Sequence, residues 1–186
     1  MEVPIEVSNR HVHLSKEDLE KLFGKGYELK RLRELSQPRQ FAAEEKIKLV
    51  SNEKEIDARV LGPLRKKTQV EISKTDARFF GLNPPVKYSG DLENSSGITL
   101  IGPKGRVELK EGLIIARRHL HISDEEAKIF NIKDKDIVSV EAGNIIFNNV
   151  LVRAGKEHKI ALHLDCDEGN AAGIDKTGIG YIRFKY

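Results

Sequence analysis

The stretch Asn9-Arg10-His11-Val12-His13-Leu14-Ser15 (NRHVHLS) returns later in the chain as Arg118-His119-Leu120-His121-Ile122-Ser123 (RHLHIS). The two copies hold four of the six histidines in a chain of 186 residues. In an extended strand, residues i and i+2 point to one face. His11 and His13 therefore share a face, and so do His119 and His121. The segments after the two copies are also alike. Ser15 precedes Lys16-Glu17-Asp18 and then Leu19, Leu22 and Phe23. Ser123 precedes Asp124-Glu125-Glu126 and then Ala127, Ile129 and Phe130. A serine with an acid three residues on resembles a capping box, so a short helix is expected to start at each.

Two further copies of this unit are present. Gln69-Val70-Glu71-Ile72-Ser73 runs on to Asp76 and Leu82, with Ser73 as the expected cap. Ala161-Leu162-His163-Leu164-Asp165 runs on to Glu168 and Ile174, with Asp165 as the cap. A metal-capable side chain sits two residues before each cap: His13, Glu71, His121 and His163. Imidazole and carboxylate suit zinc and similar divalent ions. His11, His13, Glu71, His119, His121 and His163 exceed one tetrahedral shell and are enough for two ions. Glu71 alone would be an ordinary acid; its register with His13 and His121 makes it a candidate. His158 falls outside the pattern and reads as a loop residue. Cys166 reads as packing at the start of the fourth helix, with a soft ligand beside His163 as the other reading.

The rest of the chain reads as short strands separated by turns. Strands are expected over Lys46–Ser51, Glu55–Leu61, Gly97–Ile101, Arg106–Leu109, Ile137–Glu141, Ile145–Val152, Ile160–Leu164 and Tyr181–Lys185. Turn signals include Gly62-Pro63, Asn83-Pro84-Pro85, Gly102-Pro103-Lys104-Gly105, Ala142-Gly143-Asn144 and Ala154-Gly155. Many short strands with few short helices predict small β-barrels, with a junction near Gly112 to Arg118.

Composition narrows the function. The chain is 39% hydrophobic and 33% charged, as a soluble globular protein is. Its net charge is only +3 and its basic residues are spread out, which gives no nucleic-acid footprint. Tryptophan is absent and aromatics are 6%, too few for base-stacking platforms. No apolar run approaches the ~18 residues of a membrane span. The start, MEVPIEVSNR, lacks the basic and apolar regions of a signal peptide. A single cysteine forms no internal disulfide and fits a reducing compartment. No G-x-S-x-G, P-loop or G-x-G-x-x-G motif is present. A basic turn, Arg65-Lys66-Lys67, precedes Glu71. Such turns are ordinarily solvated. Here Arg65 is the candidate to reach the site, because a guanidinium binds phosphate through a two-pronged fork.

These motifs resemble the PduL-type phosphate acyltransferases, also called phosphate propanoyltransferases or phosphotransacylases. The resemblance runs through VSNRHVHLS, LSQPRQFAAEE, LGPLRKKTQVEIS, Tyr88-Ser89-Gly90-Asp91-Leu92, RRHLHIS and LHLDCDEGNAAG, in order along nearly the whole chain. It implies two small β-barrels with a di-metal site, usually zinc, between them. One barrel would hold residues 1–9 and 117–186, the other residues 10–116. It implies reversible acyl transfer between coenzyme A and inorganic phosphate, with His11, His13, Glu71, His119, His121 and His163 as metal ligands and Arg65 handling phosphate. It also implies a homodimer and, without the N-terminal microcompartment-targeting extension of some members, a freely cytoplasmic form. The chain departs from the family pattern at Arg39, where glycine is expected, at Lys87, where arginine is expected, and at Cys166 and Gly169. None is a proposed ligand. The ligand set alone also permits a di-metal hydrolase of an ester, thioester or phosphate; a third reading, a barrel in which zinc is purely structural, has six N/O ligands and no usable cysteine pair against it.

Overall fold

A computed structural model describes residues 1–183. The chain divides into two compact units, each with its own apolar core.

The first unit comprises Met1–Asn9, Ser36–Pro38 and the chain from Arg117 on. Its strands are β1 (Glu2–Ser8), β10 (His119–Ile122), β11 (Ile137–Ala142), β12 (Ile145–Ala154), β13 (Ala161–Asp165) and β14 (Thr177–Arg183). They close a six-stranded barrel in the order β1-β13-β10-β12-β11-β14. Helices α3 (Asp124–Ile129) and α4 (Cys166–Ala172) follow β10 and β13. Leu120, Ile122, Leu162, Leu164, Val3 and Ile5 fill the core. Each such side chain taken out of water contributes roughly 1.5–3 kcal/mol.

The second unit comprises Arg10–Leu35 and Arg39–Ala116. Its strands are β2 (His11–Ser15), β3 (Arg31–Glu34), β4 (Phe41–Ser51), β5 (Lys54–Arg65), β6 (Gln69–Glu71), β7 (Val86–Lys87), β8 (Ser96–Ile101) and β9 (Arg106–Ala116). Successive pairings β4-β5, β5-β2, β2-β6, β6-β9, β9-β8 and β8-β4 close a second six-stranded ring. Strands β3 and β7 attach outside it, on β4 and β9. Helices α1 (Lys16–Phe23) and α2 (Lys74–Phe80) follow β2 and β6. Val12, Leu14, Val60, Val70, Leu100 and Leu113 fill this core, with Leu19, Leu22 and Phe80 packed in from the helices.

The architecture is mainly β with short helices and two small barrels, as the strand pattern and the family resemblance imply. All four expected caps form. Ser15, Ser73, Ser123 and Asp165 accept from the amides of Asp18, Asp76, Glu126 and Glu168. Several strands differ from the sequence reading. Gly62-Pro63 does not end β5, which continues to Arg65. Between the pairs His13–Leu61 and Ser15–Arg65, three residues of β5 oppose one of β2, so Pro63 lies in a bulge that needs no ladder donor. Gly62 is required for another reason: a Cβ there would collide with the Phe41 ring. Strand β9 also runs past Leu109 to Ala116. The expected C-terminal strand begins earlier, at Thr177, and residues 184–186 lie outside the described residues. Arg39, where the resemblance implies glycine, sits at φ 64, in the left-handed region that glycine favours.

Candidate metal centres

Strand alternation builds both candidate centres. Val12 and Leu14 enter one barrel core, so His11 and His13 occupy the opposite face of β2. In the antiparallel neighbour β6, Glu71 stands directly across from His11 and Gln69 across from His13. Cross-strand partners on one face have Cβ atoms about 4.5–5.5 Å apart, which brings the three ligands together. The other barrel repeats the arrangement. Leu120 and Ile122 enter its core, His119 and His121 take the other face, and His163 of β13 stands across from His119. Ligand atoms of His11, His13 and Glu71 lie within 4.8 Å of one another, and so do those of His119, His121 and His163. All six expected ligands thus gather as two triads, one per barrel.

The donor spacing fits a divalent ion. Zinc–nitrogen bonds of about 2.0–2.1 Å at tetrahedral angles put ligand atoms about 3.3 Å apart. His119 Nε2 and His121 Nε2 are 3.2 Å apart. His11 Nε2 and Glu71 Oε2 are 3.4 Å apart. The groups around the triads prepare them for the same task. His119 Nδ1 lies 2.9 Å from the carbonyl oxygen of Arg117, which accepts its proton and leaves the lone pair on Nε2. Ser89 Oγ donates to Glu71 Oε1 at 2.7 Å, and Gln69 Nε2 donates to the same oxygen. Glu71 Oε2 is the oxygen turned to His11. Gln69 is itself held by the Gly90 amide, which donates to its Oε1 at 2.8 Å.

Burial sets the charge states. It pushes the His121 imidazole down to about 2, helped by the neighbouring His119, His163, Arg153 and His158. It likewise pushes His13 well below the ordinary histidine value, with His11 and Arg65 adding to the effect against Glu71. Both rings are therefore neutral at pH 7, the form that ligates. Burial alone would raise the Glu71 carboxyl, but His11, His13 and Ser89 outweigh it and keep the group ionised. His121 Nδ1 is buried with no hydrogen-bond partner, so nothing recovers the desolvation of that edge.

Arg65 ends β5 beside the first triad, its Nη2 2.9 Å from His13 Nε2. A guanidinium only donates, so His13 Nε2 is the acceptor in this contact. An ion taken by that nitrogen and Arg65 compete for one lone pair.

Sequence reasoning misses four residues near the triads. Ser89 and Gln69 brace Glu71; the Tyr88–Leu92 motif is the one sequence signal of Ser89. His158 is a loop residue, yet its ring centroid is 4.6 Å from that of His121, and its Nδ1 lies 2.8 Å from the Arg153 carbonyl oxygen. Glu6 pairs with His163 across β1 and β13, with Oε2 3.6 Å from His163 Nε2, and accepts from Ser36 Oγ at 2.7 Å. Cys166 begins α4 with Sγ 3.5 Å from the Ser8 carbonyl oxygen and belongs to neither triad.

Comparison with known proteins identifies the family. The family model described as phosphate propanoyltransferase matches residues 4–175. The phosphate propanoyltransferase of Thermotoga maritima is 51% identical over 181 residues, covering 95% of this chain and 86% of that protein. Those of Clostridioides difficile and Priestia megaterium are 43% and 47% identical, each covering at least 95% of this chain and 88% and 82% of their own lengths. Nearly the full length of the chain, both triads included, therefore belongs to the phosphate propanoyltransferase family, and the protein is an acyltransferase enzyme.

Proposed function

We propose that the protein transfers a short acyl group reversibly between coenzyme A and inorganic phosphate, so that acyl-CoA and phosphate give acyl phosphate and free CoA. Each triad would hold one divalent ion, zinc by the chemistry of its donors, and the two ions would serve one reaction. The observation that carries this reading is Arg65. In a chain of the family named for phosphate and a propanoyl group, a guanidinium stands 2.9 Å from a histidine of a preformed ligand triad.

When bound, a divalent ion supplies Lewis-acid stabilisation of the negative charge that develops as the thioester is attacked and sulfur leaves. The protein's own groups do the rest. His11, His13 and Glu71, and His119, His121 and His163, present neutral or anionic donors. Ser89 and Gln69 hold Glu71 with one oxygen turned to His11. Arg65, once released from His13, binds phosphate through its fork and orients one oxygen toward the thioester carbonyl. A phosphate oxygen forms the new bond to the acyl carbon and the carbon–sulfur bond breaks, so the sulfur leaves with the electron pair. No protein nucleophile is needed.

The same reading has the enzyme working as a homodimer in the cytoplasm, a reducing compartment that suits a chain with one cysteine. Among the described residues no helix is long and apolar enough to cross a membrane. The deciding experiment follows CoA release from acetyl-, propanoyl- and butanoyl-CoA, with and without phosphate, on protein of measured metal content. Phosphate-dependent release with stoichiometric acyl phosphate supports the proposal. Thioester loss that ignores phosphate would replace it with a hydrolase, and full activity in a metal-free preparation would remove the ions from it. Light scattering tests the dimer.

A further inference from the structure

The arginine in front of each His-x-His pair is the same device used twice. Arg10 immediately precedes β2, and Arg118 immediately precedes β10. Arg10 Nε donates to Asp76 Oδ2 at 3.0 Å and its Nη2 to Asp76 Oδ1 at 2.8 Å, a two-pronged pair. Arg118 donates from Nη1 to Glu168 Oε1 and from Nε to the Asn148 carbonyl oxygen at 3.0 Å. Asp76 and Glu168 occupy equivalent places. Each is the third residue of the helix that follows the partner ligand strand, five positions after its ligand (71 to 76, 163 to 168). Each pair lies within one barrel.

The other two helices use their third-position acids differently. Asp18 accepts from Thr68 Oγ1 at 2.6 Å, and Glu126 closes a capping box on Ser123 without an arginine, whereas Glu168 closes one on Asp165 and pairs with Arg118 as well. Of the four acids, those that follow Glu71 and His163 reach across to an arginine beside the facing histidines. The ladders they span are short. His11–His13 pair with Gln69–Glu71, and His119–His121 pair with Ala161–His163. A one-residue slip would send the ligands to the core face, and the buried apolar residues that alternate with them resist it. A fork from the start of one strand to the helix behind the other opposes that slip.

We propose that Arg10–Asp76 and Arg118–Glu168 are positioning pairs, each of which fixes the two strands of its own triad and so preforms that barrel's ion site. The inference rests on the reading of the triads as ion sites. The test uses single-site backgrounds. His13→Ala leaves only the His119/His121/His163 triad whole, and His121→Ala leaves only the His11/His13/Glu71 triad whole. Zinc affinity is measured by chelator competition in each. Adding Glu168→Gln to His13→Ala should weaken zinc binding roughly tenfold or more, as loss of a ligand-supporting partner does. Adding it to His121→Ala should change affinity by no more than about twofold, because Arg118 and Glu168 tie strands of the other barrel. Asp76→Asn should do the reverse. Unchanged affinity in the matching background, or an equal loss in both, overturns the proposal. An unsubstituted protein that binds fewer than two zinc ions would instead remove the reading beneath it.

Discussion

Replacing Arg65 by alanine removes the side chain assigned to phosphate. In the structure its guanidinium meets His13 Nε2 at 2.9 Å and Ser89 Oγ at 3.4 Å. Both of these partners are neutral, and an anion outcompetes them for the guanidinium once His13 gives its lone pair to an ion. A hydrogen bond to a charged group contributes about 1.5–3 kcal/mol. Loss of about 3 kcal/mol at 1.4 kcal/mol per decade predicts a fall of roughly 100-fold in kcat/KM for phosphate. Arg65→Lys keeps the charge without the fork and should recover about one decade. The assay is CoA release at saturating propanoyl-CoA while phosphate is varied, with the KM for propanoyl-CoA measured in parallel. That KM should be nearly unchanged. Zinc affinity should stay level or rise, because a competitor for His13 Nε2 is gone. Wild-type kcat/KM for phosphate in Arg65→Ala would refute the assignment, and a parallel loss of zinc would show that the residue acts through the triad.

Three other outcomes are expected. The metal-free protein should lose stability as pH falls from about 6.5, because His13 and His121 resist protonation when folded and accept it when unfolded. Their folded values lie below the unfolded one, so the unfolded chain binds more protons in that window and each ring contributes a slope of up to about 1.4 kcal/mol per pH unit. Urea midpoints that stay flat between pH 7 and pH 5 would contradict this. Ser89→Ala removes one of the two donors to Glu71 Oε1 and should weaken zinc binding by roughly 10-fold, read by chelator competition with activity restored at high zinc. Gly62→Ala drives a methyl into the Phe41 ring, which Arg31 covers at 4.4 Å from its centroid, and should cost about 1–3 kcal/mol in urea unfolding.

Much of the fold and the ligand set is local, and local patterns are legible in a sequence. His-x-His reads as one strand face because strand periodicity is two. Ser15, Ser73, Ser123 and Asp165 read as caps because the acid follows at a fixed distance. The repeat then aligns Glu71 and His163 with the histidine pairs before any contact is known. The strand ends are harder to read. Lys110-Glu111-Gly112 looks like the end of a strand at Leu109, yet Leu113 is the partner of Val70 in the core and the ladder resumes through it. Gly62-Pro63 carries the strongest turn signal in its region, but a bulge absorbs it because β2 and β5 lose register there.

A single sequence hides which side chain completes a contact made by folding. Gln69 occupies the place in its unit that His11 and His119 occupy in theirs, so the repeat alone suggests a weaker ligand. The structure puts its amide on Glu71 of its own strand and on Ser89, 20 positions away. Arg10 is hidden for the same reason. Beside two histidines it reads as a scaffold residue, and its partner Asp76 lies 66 positions away in a helix whose cap already accounts for an acid at that place. Asp76 does serve the helix start, since an acid in the first turn opposes the positive end of the helix dipole. It also takes the arginine fork. A residue with one sufficient local explanation gives no sequence signal of a second, and the second becomes visible only because Arg118 and Glu168 repeat the pair in the other barrel.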